Sequence, residues 1–258
     1  MSLNTPTVDG ADTSGGLTRT VLAQTRAELL LTARRGENIL ITVIVPILLL
    51  VFFASLGIVQ SGTRRPVDFL LPGMLSLAVV ATGMVSLGIA TAYERYYGVL
   101  KRLGASPLPR GGLIVSKAIS VLALEVVQVA LLLLIAAAVY GWRPAGSPGT
   151  ALLALLLGTA AFAGLGLAMA GTLRAETTLA GANGLYLVFL LLSDAVLPLS
   201  HLPGALQDLA RALPAAALTD ALRAALTAHA PFPGSELGIL AVWAILTVAI
   251  AARTFKWE

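Results

Sequence analysis

The stretch that decides the fold is FLLPGMLSLAVVATGMVSLGIATAY, residues 69–93, which contains no charged side chain. A helix needs about 20 consecutive apolar residues to cross the hydrocarbon core of a bilayer. This run is long enough, and the strongly basic segment ERYYGVLKRLGASPLPRGG, residues 94–112, follows it at once. The pattern predicts a helix that spans a membrane and ends in a cationic loop.

The composition of the whole chain supports that prediction. Of the 258 residues, 57% are hydrophobic and 12% are charged, whereas soluble domains are about a quarter charged. The mean hydropathy is +0.89. In lipid, backbone groups must be satisfied by helices or by a closed barrel, and the alternating segments of a barrel are absent from the sequence. The fold class is therefore predicted as an all-α integral membrane protein.

Six apolar runs are predicted to span the membrane, in one membrane domain over residues 36–258. A polar tail, predicted to be disordered, covers residues 1–16, and an amphipathic helix at 17–35 is predicted to lie at the membrane interface. The fourth run is dense in Gly and Ala, which permits close helix packing. The predicted spans are 39–59, 69–93, 118–140, 151–173, 177–197 and 237–252.

The distribution of basic residues predicts the orientation. With the N-terminus in the cytoplasm, twelve of the seventeen Lys and Arg residues fall in cytoplasmic segments. Both termini of this multi-pass chain are therefore expected on the cytoplasmic side of the cell membrane. The segment 94–112 is expected on the same side and is predicted to end in a turn at 109–112. The net charge of +4 then reflects topology and contact with membrane lipid, and nucleic acid is not an expected partner.

The cytoplasmic segment 94–108 has the pattern of a short amphipathic helix. Tyr96, Leu100 and Leu103 fall on one helical stripe, and Gly104 with Pro107 is expected to end the helix. Two interpretations are open. The segment could be a basic loop on anionic lipid headgroups, or a helix that docks on another protein.

Residues 194–230, after the fifth span, combine prolines, charges and an apolar stripe. The stripe includes Leu202, Leu206 and Leu209, and Thr219 is predicted as the N-cap of a following short helix. Proline and charge at membrane depth are tolerated only against protein or water. The segment is expected to be a re-entrant hairpin that caps the outer mouth of a pathway, or a pair of surface helices on the outer leaflet.

Three polar residues are candidates for a translocation pathway. Glu125 interrupts the third span, and Gln128 lies three residues on, on the same helical face. Asp194 lies near the far end of the fifth span. An ionisable group inside a span usually faces the bundle or a cavity, so Glu125 either contacts a substrate or a proton or belongs to a hydrogen-bonded packing pair.

The sequence lacks the common signatures of enzymes and metal sites. It has no GxxxxGK[ST], HExxH or GxSxG motif and no Cys, and His201 and His229 stand alone without the spacing of metal ligands. No catalytic residue, bound metal or cofactor is therefore expected in this chain.

The run FLLPGMLSLAVVATGMVSLGIATAYERYYGVLKRLGASPLPRGGLIVSK, residues 69–117, contains a Leu-Pro-Gly entry and then Glu-Arg-x-x-Gly-x-Leu-Lys-x-Leu-x-x-Ser-Pro-Leu-x-Arg. It resembles the permease subunits of ABC-2 type exporters, the group that includes the daunorubicin-resistance drug exporters. The sequence departs from that pattern at Tyr96, where a second acidic residue is common, and at Val99, where Thr is common. These departures favour a more apolar groove on the partner.

The resemblance implies that 94–108 is a coupling helix held in a groove of a separate P-loop ATPase subunit. It also implies a dimer of permeases, homomeric or heteromeric. ATP and Mg²⁺ are then bound by the ATPase partner, and residues 194–230 form an extracellular re-entrant segment. The residues at coupling positions are Glu94, Arg95, Gly98, Leu100, Lys101, Leu103, Pro107 and Arg110. Those at positions of the outer segment are Pro198, Pro203, Pro214, Asp220 and Arg223.

The expected function is thus the permease subunit of an ATP-driven exporter without an ATPase site of its own. A nearly uncharged bundle favours a hydrophobic or amphipathic substrate, such as a drug, a natural product or a lipid-like molecule, moved by alternating access or lateral expulsion. Two alternatives come from other classes: a proton-coupled secondary transporter that uses Glu125, and an intramembrane enzyme that uses Glu125, Asp194 and His201.

Overall fold

The computed structural model describes residues 13–34, 36–56, 65–104, 109–196 and 198–254. All regular structure in these ranges is helical. Five of the helices are long and apolar enough to cross a membrane. The chain is therefore an all-helical, multi-pass membrane protein, as predicted.

The first part of the chain contains two of the predicted membrane-embedded segments. The helix α3 is a candidate span, and α2 contains the shorter apolar stretch Thr42–Leu56. The bounds are Thr13–Arg34 for α1, Gly36–Leu56 for α2, Pro66–Tyr96 for α3 and Val99–Gly104 for α4.

The second part contains four further candidate spans, α5, α6, α7 and α10. The short helices α8 and α9 connect α7 to α10. The bounds are Arg110–Tyr140 for α5, Pro148–Thr172 for α6, Ala175–Leu192 for α7, Gly204–Ala212 for α8, Pro214–Leu226 for α9 and Gly234–Thr254 for α10.

The long helices run in alternating directions, so the bundle has two ends. At one end the last turn of α3 meets the connection between α6 and α7, where Arg95 contacts the carbonyl oxygen of Leu173. We call this the basic end. At the opposite end, the start of α3 meets the end of α5, where Arg65 Nη1 donates to Gly141 O at 3.2 Å.

The helix α3 lies at the centre of the bundle. In the most apolar 18-residue stretch of α3, 83% of the residues are buried. Its backbone widens into a π-helical turn at Val80–Ser86. Turns of this kind are rare and occur often at functional sites, because they change which side chains face a neighbouring helix.

Small residues bring α6 against its neighbours, as its Gly and Ala content predicts. A Cβ atom on Gly166 would lie 2.7 Å from Met84 O in α3, and one on Gly164 would lie 2.5 Å from Thr247 Oγ1 in α10. Both distances are too short for real atoms. A methyl group at either position would therefore push the helices apart.

Several boundaries differ from the sequence prediction. The helix α5 begins at Arg110 with Pro109 as its N-cap, so the predicted turn at 109–112 is wrong. Pro109 has a φ of −69° and an extended ψ of 155°, and the residues after it continue directly into the apolar run. The helix α7 ends at Leu192, before Asp194, and α1 begins at Thr13, inside the predicted tail. Residues 1–12 and 57–64 lie outside the described residues.

Candidate functional site

The segment predicted as one helix over 94–108 is divided by a turn. The helix α3 ends at Tyr96, Gly98 has a φ of 70°, and α4 begins at Val99. Glycine adopts positive φ without the cost that other residues meet, so Gly98 permits the reversal. Residues 105–108, including Pro107, lie outside the described residues. We call residues 94–104 the basic segment.

The basic segment has an inner and an outer face. Leu100 is 1% exposed, and Leu103 packs beside it. Lys101 and Arg102 are exposed. The predicted stripe is wrong for Tyr96, which is 64% exposed, because the turn at Gly98 breaks the helical phase between Tyr96 and Leu100. Leu100 belongs to a cluster of buried residues from α3, α5, α6 and α10, which includes Leu87, Leu113 and Leu167.

Glu94 faces the interior of the bundle. Its Oε2 atom accepts a hydrogen bond from Lys117 Nζ at 2.6 Å. Lys117 Nζ also lies 3.0 Å from Glu28 Oε1 in α1, and Gln24 Nε2 donates to that same oxygen at 3.0 Å. The three charged side chains therefore join α1, α3 and α5 at the basic end. We call Glu28, Glu94 and Lys117 the ion triad.

The ion triad is almost completely withdrawn from solvent. Lys117 is 1% exposed, and Glu28 and Glu94 are each 8% exposed. A buried charge is tolerated only when it is paired and hydrogen-bonded, and one ammonium here serves two carboxylates. Ser116 Oγ lies 3.2 Å from Val21 O and adds a second polar contact between α5 and α1. The helix α1 is thus fixed to the bundle by polar contacts.

Two further arginines were predicted at coupling positions. Arg95 is half-buried, and its Nη2 atom donates to Leu173 O, which joins α3 to the connection between α6 and α7. Arg110 is the first residue of α5, and its side chain lies outside the described part of the structure.

Glu125 and Gln128 lie inside the bundle with different partners. Thr159 Oγ1 in α6 lies 2.5 Å from Glu125 Oε2, whereas Glu125 Oε1 has no hydrogen-bond partner among the described residues. Gln128 Oε1 accepts from Thr82 Oγ1 at 2.7 Å, and its Nε2 donates to Thr42 O at 3.1 Å. These contacts join α2, α3, α5 and α6.

The position of Thr82 gives the π-helical turn of α3 a structural role. Thr82 lies within that turn, is 1% exposed and donates to Gln128. Glu125 and Gln128 are 5% and 2% exposed in a single copy of the chain. A substrate could therefore reach either side chain only after the helices around it separate.

Arg223 in α9 organises the opposite end. Its guanidinium contacts Asp194 Oδ2, donates to Asp194 O at 2.7 Å and donates to Asp220 Oδ1 at 2.8 Å. Its Cζ atom lies 4.3 Å from the centre of the Phe69 ring, a cation–π contact with α3. Asp194 has a φ of 56° and accepts from the Leu199 N–H at 2.6 Å. Arg223 therefore holds the connection after α7 between α3 and α9.

Gly73 of the Leu-Pro-Gly sequence lies against that same connection. A Cβ atom on Gly73 would lie 2.4 Å from Ala195 Cα, so any larger residue would displace the backbone. In the Arg223 cluster, burial raises the pKa of Asp220 to about 6, and the nearby Arg223 opposes that rise.

The three predicted prolines lie at the starts of short helices. Pro214 is buried as the first residue of α9, Pro203 is exposed before α8, and Pro198 is half-buried before a short 3₁₀ helix, Leu199–His201. The predicted N-cap at Thr219 is wrong, because proline is favoured in the first turn and α9 already begins at Pro214. Thr219 is buried inside α9 and donates to Ala215 O at 3.0 Å.

The candidate residues fall into three separate groups: the ion triad with the basic segment, the Glu125 and Gln128 contacts, and the Arg223 cluster. Glu125 contacts α6, whereas Asp194 contacts Arg223, and the side chain of His201 lies outside the described part. Within the described residues, no group of three or more His, Cys, Asp or Glu side chains could hold a metal ion.

Comparison with known proteins places this arrangement in context. A family model described as ABC-2 type transporter matches residues 19–227, a range that includes all three groups. The ABC transporter G family member 20 of Dictyostelium discoideum is 31% identical over 160 residues. That match covers 61% of this chain and 22% of the relative, so the chain spans about a fifth of the length of that relative.

Proposed function

This chain belongs to the ABC-2 type transporter family and is a permease of ABC-type transport, and from that premise we propose that it is the membrane subunit of an exporter. It moves a hydrophobic or amphipathic substrate out of the cytoplasm or the inner leaflet. A separate P-loop ATPase subunit binds ATP and Mg²⁺ and supplies the energy. Charged residues make up 12% of the whole chain and are scarce in the spans, which supports a substrate of this class.

The division of the basic segment into two faces carries this proposal. Lys101 and Arg102 on the outer face are available to an ATPase subunit, while Leu100 on the inner face belongs to a buried cluster with residues of α3, α5, α6 and α10. Protein interiors are close-packed and transmit displacement. Movement imposed on the outer face would therefore pass through Leu100 into the bundle.

The position of Glu94 assigns it a different part in coupling. Because Glu94 is buried against Lys117, it does not contact the ATPase directly. It instead links the last turn of α3 to α1, so that the basic segment and α1 move together. Glu94 thus takes part in coupling through α1, at the position that the sequence predicts.

The topology that fits this function has six spans, of which α2 is the first. The protein lies in the plasma membrane, with both termini in the cytoplasm. The basic end is then cytoplasmic, and the segment 194–230 caps the outer mouth of the pathway. Two permease copies, identical or different, form the pathway between them. Exposed apolar side chains on α5 and α7, including Val126, Leu134, Leu187 and Leu191, are available for contact with lipid or a second copy.

A proton-coupled secondary transporter is the second candidate, favoured by one observation. Glu125 Oε1 is buried inside a span without a hydrogen-bond partner among the described residues. Such a carboxyl group could take part in proton movement. Transport by this mechanism would stop when an uncoupler dissipates the proton gradient and would not need ATP.

The test uses the full chain in nanodiscs together with its candidate ATPase. Wild type is compared with the double variant Lys101→Glu, Arg102→Glu, and Arg253→Glu serves as the control because it is exposed at the same end but outside the basic segment. We expect the double variant to lose the ATPase and the control to retain it. Retention of the ATPase by the double variant, with unchanged ATP hydrolysis, would contradict the proposed docking face.

A further inference from the structure

A cleft of about 470 Å³ lies at the basic end, beside the basic segment. It opens between the last turns of α3 and the first turn of α7. The residues that line it are Ala92, Arg95, Tyr96, Arg174, Ala175 and Glu176. Arg95 and Tyr96 of the basic segment line the cleft, whereas neither the ion triad nor the buried Leu100 contributes to its wall.

The charge of the cleft favours an anion. Two basic residues, Arg95 and Arg174, and one acidic residue, Glu176, line the cleft. The contact of Arg95 with Leu173 O orients its guanidinium while most of its five N–H donors stay available. Guanidinium groups present paired donors that match the oxygens of a phosphate group.

Aromatic side chains place this cleft at the level of a membrane surface. Tyr93, Tyr96 and Tyr97 form a cluster with ring centroids 5.1–6.5 Å apart. Tyr96 and Tyr97 are 64% and 67% exposed. Tyrosine is enriched where lipid headgroups meet the hydrocarbon core, because its ring is apolar and its hydroxyl is polar.

A mostly apolar helix surface, interrupted by the exposed Asn183, leads away from the cleft. Only 22% of the 18 residues of α7 are buried. Leu179 is 39% exposed, one helical turn beyond Ala175, and Leu187 and Leu191 further along are 58% and 62% exposed. A bound molecule with a phosphate in the cleft could therefore lay an acyl chain along α7. Free phosphate or an acidic protein side chain would leave this face unused.

We propose that this cleft binds the phosphate of an anionic phospholipid headgroup in the leaflet at the basic end. Basic pockets between membrane-spanning helices are suited to such headgroups. The lipid connects α3 with the start of α7, next to the carbonyl group of Leu173 that Arg95 contacts. This inference goes beyond the proposed export function and does not depend on it.

Native mass spectrometry of the full chain in detergent tests the proposal without an ATPase or a transported substrate. The chain is titrated with phosphatidylglycerol, with phosphatidylcholine as the zwitterionic lipid and with glycerol 1-phosphate as a free phosphate. We expect the double variant Arg95→Gln, Arg174→Gln to bind phosphatidylglycerol about tenfold more weakly than wild type. The variant Arg95→Lys, Arg174→Lys should keep much of the binding, since the charge is retained.

The matched control is Arg26→Gln, Arg253→Gln, which removes two exposed cations that do not line the cleft. It should bind phosphatidylglycerol like wild type. Equal lipid binding by the Arg95→Gln, Arg174→Gln variant would overturn the proposal. Competition by glycerol 1-phosphate as strong as that by the lipid would assign the cleft to free phosphate instead.

Discussion

Replacing Lys117 by Met removes the only cation of the ion triad and keeps a side chain of similar length. Lys117 is 1% exposed and lies 2.6 Å from Glu94 and 3.0 Å from Glu28. The change leaves two carboxylates buried next to each other without a counter-charge. Removing one partner of a buried ion pair costs about 3–5 kcal/mol, and here both carboxylates lose their partner. We therefore expect a loss near the upper end of that range.

Other changes to the ion triad should cost less, in a defined order. Glu28→Gln leaves Lys117 paired with Glu94 and removes one excess negative charge, so its effect should stay below about 2 kcal/mol. The triple variant Lys117→Met, Glu28→Gln, Glu94→Gln contains no charge. Since neutral replacement of buried ion pairs is often tolerated, this variant should recover most of the stability that Lys117→Met alone loses.

Thermal unfolding in detergent, followed by tryptophan fluorescence, measures these differences. For a chain of this size about 1 kcal/mol shifts the midpoint by about 2–4 °C, so Lys117→Met should lower it by roughly 10–20 °C. Lys101→Met is the control, because Lys101 is exposed and its replacement should change stability by less than about 0.5 kcal/mol. Equal midpoints for Lys117→Met and Lys101→Met would refute the buried triad.

Three more predictions concern the rest of the bundle. Gly73→Ala places a methyl 2.4 Å from the Ala195 backbone and should destabilise by about 1–3 kcal/mol in thermal unfolding, whereas Gly184→Ala, with open space around it, should not. Gln128→Leu breaks two buried hydrogen bonds and should lower the midpoint by an amount equivalent to about 1–3 kcal/mol; an unchanged midpoint would contradict those contacts. Burial raises the pKa of Asp220 to about 6, above its unfolded value of about 3.9, so the folded protein should lose stability as the pH rises from 4 through 6. Asp220→Asn should flatten that pH profile, and an equally steep profile in the variant would assign the dependence to another group.

Hydropathy alone predicted most of the membrane-spanning helices, because an uncharged run of this length has few stable alternatives in lipid. It predicted helix ends less well where polar residues are buried. The helix α5 extends back to Arg110 because Lys117 is paired inside the bundle. The sequence prediction missed this because it counted Lys117 as a solvated charge that flanks the span. A buried lysine and a cytoplasmic lysine look the same in the sequence.

Contacts between distant residues were also beyond sequence reasoning. Glu28 and Lys117 lie far apart in the chain, and so do Asp194 and Arg223, and no local period links either pair. The π-helical turn of α3 has no sequence signature of its own in an apolar run. In contrast, the Gly and Ala content of α6 did predict close packing, because it depends on side-chain size alone.

The contacts of α3 indicate where the bundle can change shape. At the opposite end, Phe69 is held by Arg223, and at the basic end Glu94 is held by Lys117. Between these two fixed ends lies the π-helical turn Val80–Ser86, whose Thr82 bonds to Gln128. A helix fixed at both ends can adjust most easily where its hydrogen-bond ladder is already irregular. We therefore expect movement imposed at the basic segment to change α3 at this turn and so open the contacts of Gln128.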